Sequence, residues 1–169
     1  TAFNELLNKC IEKYTLKNTY QQIIYPLLVR LGLMWRKDSI CAAQEHFLTH
    51  LIKQKINAVI DGLHPPKANA PKWVLFLPED EEHELGLLFA NFLLRQAGYK
   101  VIYLGSRVPL NSLLQVANVN SIHQMLFFMT RQKLTSEAQT YINHLATHFQ
   151  ETTINMAGNT KLLTELNFP

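Results

Sequence analysis

The stretch WVLFLPEDEEHELGLLF, Trp73 to Phe89, passes from one kind of pattern to another through a charged loop. Its first five residues form a continuous apolar run of the sort found in a strand buried on both faces. From about Glu84 the apolar residues recur with helical spacing to Ala97, where Gly98 stops the helix. Between strand and helix the loop holds Glu81, His83 and Gly86, spaced as E-x-H-x-x-G.

On the C-terminal side the strand-then-helix unit recurs. Lys100–Leu104 (KVIYL) reads as a second strand and Pro109–Ala117 as a helix. Met125–Met129 (MLFFM) is a third strand, Ser136–Phe149 a helix with Ser136 as its cap, and Thr153–Met156 a fourth strand. Strands alternating with helices imply parallel pairing with right-handed crossovers. Residues 73–169 are therefore expected to form an open, parallel α/β sheet of Rossmann or flavodoxin type. The chain ends at Asn167-Phe168-Pro169, where a doubly wound domain would go on to another strand, so the domain is expected to continue or to have a short edge.

On the N-terminal side the period is helical throughout. Phe3, Leu6, Leu7, Cys10 and Ile11 mark one helix. Asn18 or Thr19 is placed to cap a second, which carries Ile23, Ile24, Leu27, Leu28 and Leu31. Asp38 or Ser39 then caps a third, with Ala43, Phe47, Leu51, Ile52, Ile56 and Val59-Ile60 as its apolar face, and Gly62 ends it. Residues 1–63 thus read as a helical bundle, and 64–72 (HPPKANAPK follows Leu63) as a linker.

The 169 residues are 47% hydrophobic with a formal charge of +3, enough for one or two small domains with an ordinary core. The basic excess is dispersed and forms no stripe or patch, which argues against nucleic-acid binding by this segment alone. Cys10 and Cys41 stand far apart in amphipathic stretches and read as buried free thiols of a reducing compartment. No apolar run approaches a membrane span and no signal peptide opens the chain, so a soluble, cytoplasmic protein is expected. The start at Thr1 suggests a piece of something longer.

Open α/β sheets bind ligands at the carboxyl ends of their strands, near the switch point in strand order. A histidine projecting from the loop after the first strand reaches such a ligand as base or metal ligand. A carboxylate two residues earlier accepts from its other ring nitrogen and fixes the tautomer. Gly86 lets backbone approach a bulky group. A lone loop histidine is, equally, an ordinary solvated side chain. The dinucleotide fingerprint is absent, because this loop has one glycine where three are needed, and there is no P-loop or serine elbow.

A second constellation lies in MWRKDSICAAQEHFLTH, Met34 to His50: a tryptophan at the end of one helix and, after nine intervening residues, Glu45 and His46, about seven residues or roughly 10 Å into the next. Trp35, Glu45 and His46 either surround one pocket or combine core packing with a decorated surface. His46 and His50 have i, i+4 spacing, as do His144 and His148. The metalloprotease motif, however, places its glutamate after the first histidine, not before it.

A helical bundle, a proline-rich linker and an α/β domain whose first loop holds E-x-H-x-x-G together resemble the cobalamin-binding module of corrinoid methyltransfer proteins and methionine synthase. The W-x9-E-H arrangement is similar to that of cobalamin-dependent, light-responsive transcriptional regulators of the MerR type. The resemblance covers essentially the whole chain, and YLGSRVPLNSLL is in keeping with it. It implies adenosylcobalamin, or another cobalamin, as cofactor, with His83 the lower axial ligand to cobalt in place of the cofactor's own dimethylbenzimidazole. Trp35, Glu45 and His46 would surround the adenosyl group; Glu81, Gly86, Thr130 and Gly158 would complete the cofactor site. The implied role is regulatory and not enzymatic. A homo-oligomer would hold DNA through an N-terminal helix-turn-helix domain that this chain lacks, and light would break the cobalt–carbon bond and the oligomer.

The sequence departs from the family pattern at several points. Glu81 stands for the usual aspartate. Thr130 and Gln132 stand for the serine and leucine of the third-strand S-x-L motif, and Ala157-Gly158 for paired glycines. Arg36 follows Trp35 where the best-known light sensors have a histidine, and a guanidinium cannot ligate cobalt. Two other readings remain open: a corrinoid carrier of a methyltransferase system, and a cofactor-free oligomerisation module of the same fold.

Overall fold

The computed structural model describes all residues except Thr1, Arg36, Asp38, Ser39, Asn120, Gln132 and Pro169. The chain forms two compact units, Thr1–Leu63 and His64–Pro169.

The first unit is helical. Helix α1 (Ala2–Thr19) is followed by a π-helical turn (Tyr20–Ile24), α2 (Tyr25–Trp35) and α3 (Ala42–Asp61). The break expected at Asn18 or Thr19 lies elsewhere. Thr15 alone leaves the helical region (φ 69, ψ 158), while Thr19 is itself helical and makes no side-chain capping bond. Packing explains this: Leu16, Tyr20 and Ile24, four apart, are all buried, so the apolar stripe runs through the site of the expected cap. Helix α3 is capped by Cys41, whose N–H donates to Gln44 Oε1 at 3.1 Å, half of a capping box. Asp38 and Ser39, the expected caps, lie outside the described residues. Ile52 and Ile56 are fully buried as expected, but Phe47 and Ile23 are exposed.

The second unit is a four-stranded parallel sheet with helices on both faces, the α/β class expected. The elements are β1 (Lys72–Pro78), α4 (Glu84–Gln96), β2 (Lys100–Val108), α5 (Leu110–Val119), β3 (Gln124–Met129), α6 (Thr135–His148), β4 (Thr153–Gly158) and α7 (Thr160–Glu165). Strand order is β2-β1-β3-β4, with Val74 opposite both Ile102 and Met125, and Met125 opposite Ile154. Strand alternation sorts the core into two layers. Val74, Phe76, Met125 and Phe127 pack with Leu113, Ile142 and Leu162 of α5, α6 and α7. Leu75 and Leu77 pack with Leu87 of α4. The central run Val74–Leu77 has no exposed surface, which is why its sequence is apolar without alternation.

Residues before β1 are fastened to this unit: the Lys67 N–H donates to the Gly98 carbonyl at 3.1 Å and Lys100 Nζ to the Ala68 carbonyl at 2.5 Å. Helix α6 is preceded by Leu134 at its cap position and not by Ser136. The sequence reading had no element after β4. Helix α7 is there, capped by Asn159 Oδ1, which accepts from the N–H groups of Lys161 and Leu162. Among the described residues no helix is long and apolar enough to cross a membrane.

Candidate functional site

The order β2-β1-β3-β4 makes the chain leave β1 and β3 in opposite directions, α4 covering one face and α6 the other. A crevice opens at such a switch point, at the carboxyl ends of the two strands. The loop after β1 carries Glu81 and His83 there, and the residue after β3 is Thr130.

Glu81 is 2% exposed, and its carboxylate gathers the crevice around it. Oε1 accepts from the N–H groups of Glu82 (2.9 Å) and His83 (3.0 Å) and lies 2.6 Å from His83 Nδ1. Oε2 accepts from the Thr130 N–H (2.7 Å), the Thr130 hydroxyl (2.9 Å) and the Arg131 N–H (2.9 Å). Burial by itself would raise the carboxyl's pKa. The hydrogen bonds from His83, Arg131 and Thr130 outweigh it and hold the pKa down at about 2. Glu81 is therefore an anion at neutral pH, and its neighbour Nδ1 carries the proton it accepts. In the neutral ring the lone pair then lies on Nε2, and the ring is 67% exposed at the mouth of the crevice.

The two glycines singled out in the sequence are both places of close approach within the protein. A Cβ on Gly86, in the first turn of α4, would stand 2.9 Å from the Phe128 ring of β3. Its absence lets the start of α4, and with it His83, sit down on the sheet. Gly158 ends β4 at φ +143, where a Cβ would fall 2.0 Å from the Met129 carbonyl oxygen. The adjoining Asn159 N–H donates to that same oxygen at 3.0 Å. Ala157, beside it, is half-buried.

In the helical unit Trp35 is the last residue of α2 and about half exposed. Glu45 and His46 are the fourth and fifth residues of α3, closer to its start than the expected seven because the helix begins at Ala42. They are joined to each other: His46 Nδ1 lies 3.0 Å from Glu45 Oε2, while Glu45 Oε1 accepts from the Thr49 hydroxyl at 2.6 Å. Arg36 lies outside the described residues, as does Gln132. No group of three or more His, Cys, Asp or Glu among the described residues is arranged to hold a metal ion.

Sequence reasoning missed the residues that tie the β1 loop from outside. Arg131 Nη1 donates to the Asp80 carbonyl at 2.9 Å, and Lys133 Nζ pairs with the Asp80 carboxylate at 2.7 Å. No local motif marks them, because they come from the far side of the crevice. An open groove of about 1100 Å³ lies at the opposite end of the sheet, lined by Pro71, Ile122, His123, His148 and Phe149 among others. It includes His148 of the second i, i+4 histidine pair but none of the residues expected to bind the cofactor.

The B12 binding domain family model matches residues 1–60. The HTH-type transcriptional repressor CarH of Myxococcus xanthus is 28% identical over 110 residues, 65% of this chain and 36% of that protein. The repressor CarA of the same organism is 36% identical over 86 residues, 51% of this chain and 28% of that protein. The matched region thus spans about a third of the length of these relatives. The fold is shared with the monomethylamine corrinoid protein of Methanosarcina barkeri (TM-score 0.77, 14% identity, 98% of this chain and 82% of that one). The methanol:cobalamin methyltransferase complex MtaBC of the same organism is more distant (TM-score 0.50, 18% identity, 96% and 64%). Residues 1–60 thus match the B12 binding domain family, and the chain is similar in sequence to the repressors CarH and CarA.

Proposed function

We propose that this chain binds a cobalamin and serves as the cofactor-sensing domain of a MerR-type transcriptional regulator. The observation that carries the proposal is the His83–Glu81 pair. A buried, ionised carboxylate holds Nδ1 of an exposed imidazole at a switch-point crevice, which assigns Nε2 of the neutral ring as the metal-binding nitrogen. That donor set fits a metal that needs one ligand from the protein and takes its other ligands from a macrocycle.

His83 would hold the cobalt, and Glu81 would orient His83. Thr130 acts through Glu81, to which both its N–H and its hydroxyl are committed. Gly86 and Gly158 keep the crevice walls in place, in addition to any contact with the cofactor. Trp35, Glu45 and His46 are assigned to the adenosyl group: Trp35 offers a half-exposed aromatic face, and Glu45 with His46 a joined polar pair. When bound, the cofactor supplies a light-cleavable cobalt–carbon bond. Arg36 has no lone pair to offer at the position after Trp35. DNA binding through a helix-turn-helix domain is proposed for the whole protein, supported by the likeness to the HTH-type repressors CarH and CarA, and homo-oligomer formation is proposed with it. The proposed role is regulatory, not catalytic.

A corrinoid-carrier role is the second reading, favoured by the likeness to the monomethylamine corrinoid protein along nearly the whole chain. The chain is incubated with adenosylcobalamin in the dark and desalted, and its absorption is recorded before and after green light. Retained corrin with an imidazole-ligated spectrum that changes on illumination is expected; loss of the corrin on desalting overturns both readings. Equal retention of methyl- and adenosylcobalamin favours the carrier.

A further inference from the structure

We infer that Arg107 is a positioning residue for His83, holding the loop after β1 from the side opposite to Thr130. The ligand role of that histidine rests on the function proposed above; the positioning does not. His83 is flanked in sequence by Glu82 and Glu84, and a β2 side chain holds each of them. The Arg107 guanidinium bonds Glu82 Oε1, and the Tyr103 hydroxyl donates to Glu84 Oε1 at 2.9 Å. The Arg107 N–H also donates to the Glu81 carbonyl at 3.3 Å.

Regular strand geometry would not bring Arg107 there. The β1–β2 register shifts between Leu75 and Phe76 and again before Pro78, and Gly105 (φ 78) and Arg107 (φ 56) are both left-handed. A register irregularity of this kind re-aims side chains at the end of a strand. A left-handed arginine is uncommon and persists only where surrounding contacts hold it. Here those contacts are the carbonyl of Glu81 and the carboxylate of Glu82. The loop is thus gripped on the β3 side through the Glu81 carboxylate and on the β2 side through Arg107. The orientation of His83 depends on both grips. The Arg107–Glu82 pair is exposed (63% and 54%), so it contributes little to global stability, and a local effect is separable from unfolding.

The test uses the whole chain and two readouts. Without corrin, amide exchange at Glu82 and His83 is expected to rise about two- to fivefold in Arg107→Ala, the range of an exposed ion pair. It should stay near the parent rate in Arg107→Lys and be unchanged in β1 and β3. With hydroxocobalamin, the imidazole-ligated fraction should fall in Arg107→Ala and recover in Arg107→Lys. Arg107→Gly suits the left-handed backbone but lacks the guanidinium, and should behave like the alanine variant. Unchanged loop exchange in Arg107→Ala overturns the inference. So does faster exchange throughout the sheet, or parent-like behaviour of Arg107→Gly. Faster loop exchange in a chain whose parent binds no hydroxocobalamin supports the positioning and overturns only the cobalamin reading.

Discussion

Oε1 of Glu81 lies 2.6 Å from Nδ1 of His83, while Oε2 of the same carboxylate binds the backbone and hydroxyl of Thr130, forty-nine residues further on. One side chain therefore joins the loops of two neighbouring strands and sets the tautomer of the exposed ring between them. Removing either partner of the His83–Glu81 pair has different expected consequences. His83→Ala should abolish the imidazole-ligated spectrum of bound corrin. Glu81→Gln should keep ligation but weaken corrin affinity by roughly 10–100-fold, the usual cost of losing the group that orients a metal ligand. Titration followed by absorption measures both.

Acid should act on the fold through Glu81. Its carboxyl is held at about 2 in place of 4.5, so the folded chain binds that proton less readily than the unfolded chain. The contribution is fully present above 4.5 and is lost as pH falls toward 2, and it is worth about 3 kcal/mol. Urea unfolding of the parent and Glu81→Gln at several pH values should show a stability difference that shrinks across this window. A difference independent of pH would show that the carboxylate is not the group responsible.

Gly158→Ala should destabilise the second unit by ~1–3 kcal/mol. It forces a side chain into a left-handed conformation, against the Met129 carbonyl at the junction of β3 and β4. A lowered denaturation midpoint with an unchanged slope is the expected reading. Tolerance of alanine without loss would mean that β4 ends differently.

Gly86→Ala should cost roughly 1–3 kcal/mol by pressing a methyl on the Phe128 ring. Combined with Phe128→Leu, part of that loss should be recovered, because the obstructing ring is gone. A double-mutant cycle measures this coupling directly. Additive losses would place the Gly86 constraint somewhere other than Phe128.

Thr130→Val removes one of the three donors to Glu81 Oε2 and leaves the two backbone N–H groups. A loss of roughly 1–3 kcal/mol is expected, as for a hydrogen bond to a charged group, together with a rise in the carboxyl pKa followed by carbon-13 NMR. A larger loss than Glu81→Gln produces would assign Thr130 a role beyond this bond.

Much of this protein follows from local pattern alone. The unalternating run Val74–Leu77 identifies a strand buried on both faces, and its parallel neighbours follow from the helices between them. E-x-H-x-x-G placed a histidine and its orienting carboxylate in one loop, because two residues in a turn meet without help from the rest of the fold. The helix boundaries were less legible. At Thr19 a buried stripe overrides the capping preference, and helix α7 depends on Leu162 and Leu166 finding the core rather than on its own short sequence. Only the tertiary structure brought Thr130, Arg131 and Arg107 to the loop, since strand order β2-β1-β3 sets them on either side of it. It also decided that Glu81 is ionised. A carboxylate's charge depends on how many donors reach it after burial, and those donors come from both its own loop and the strand across the crevice.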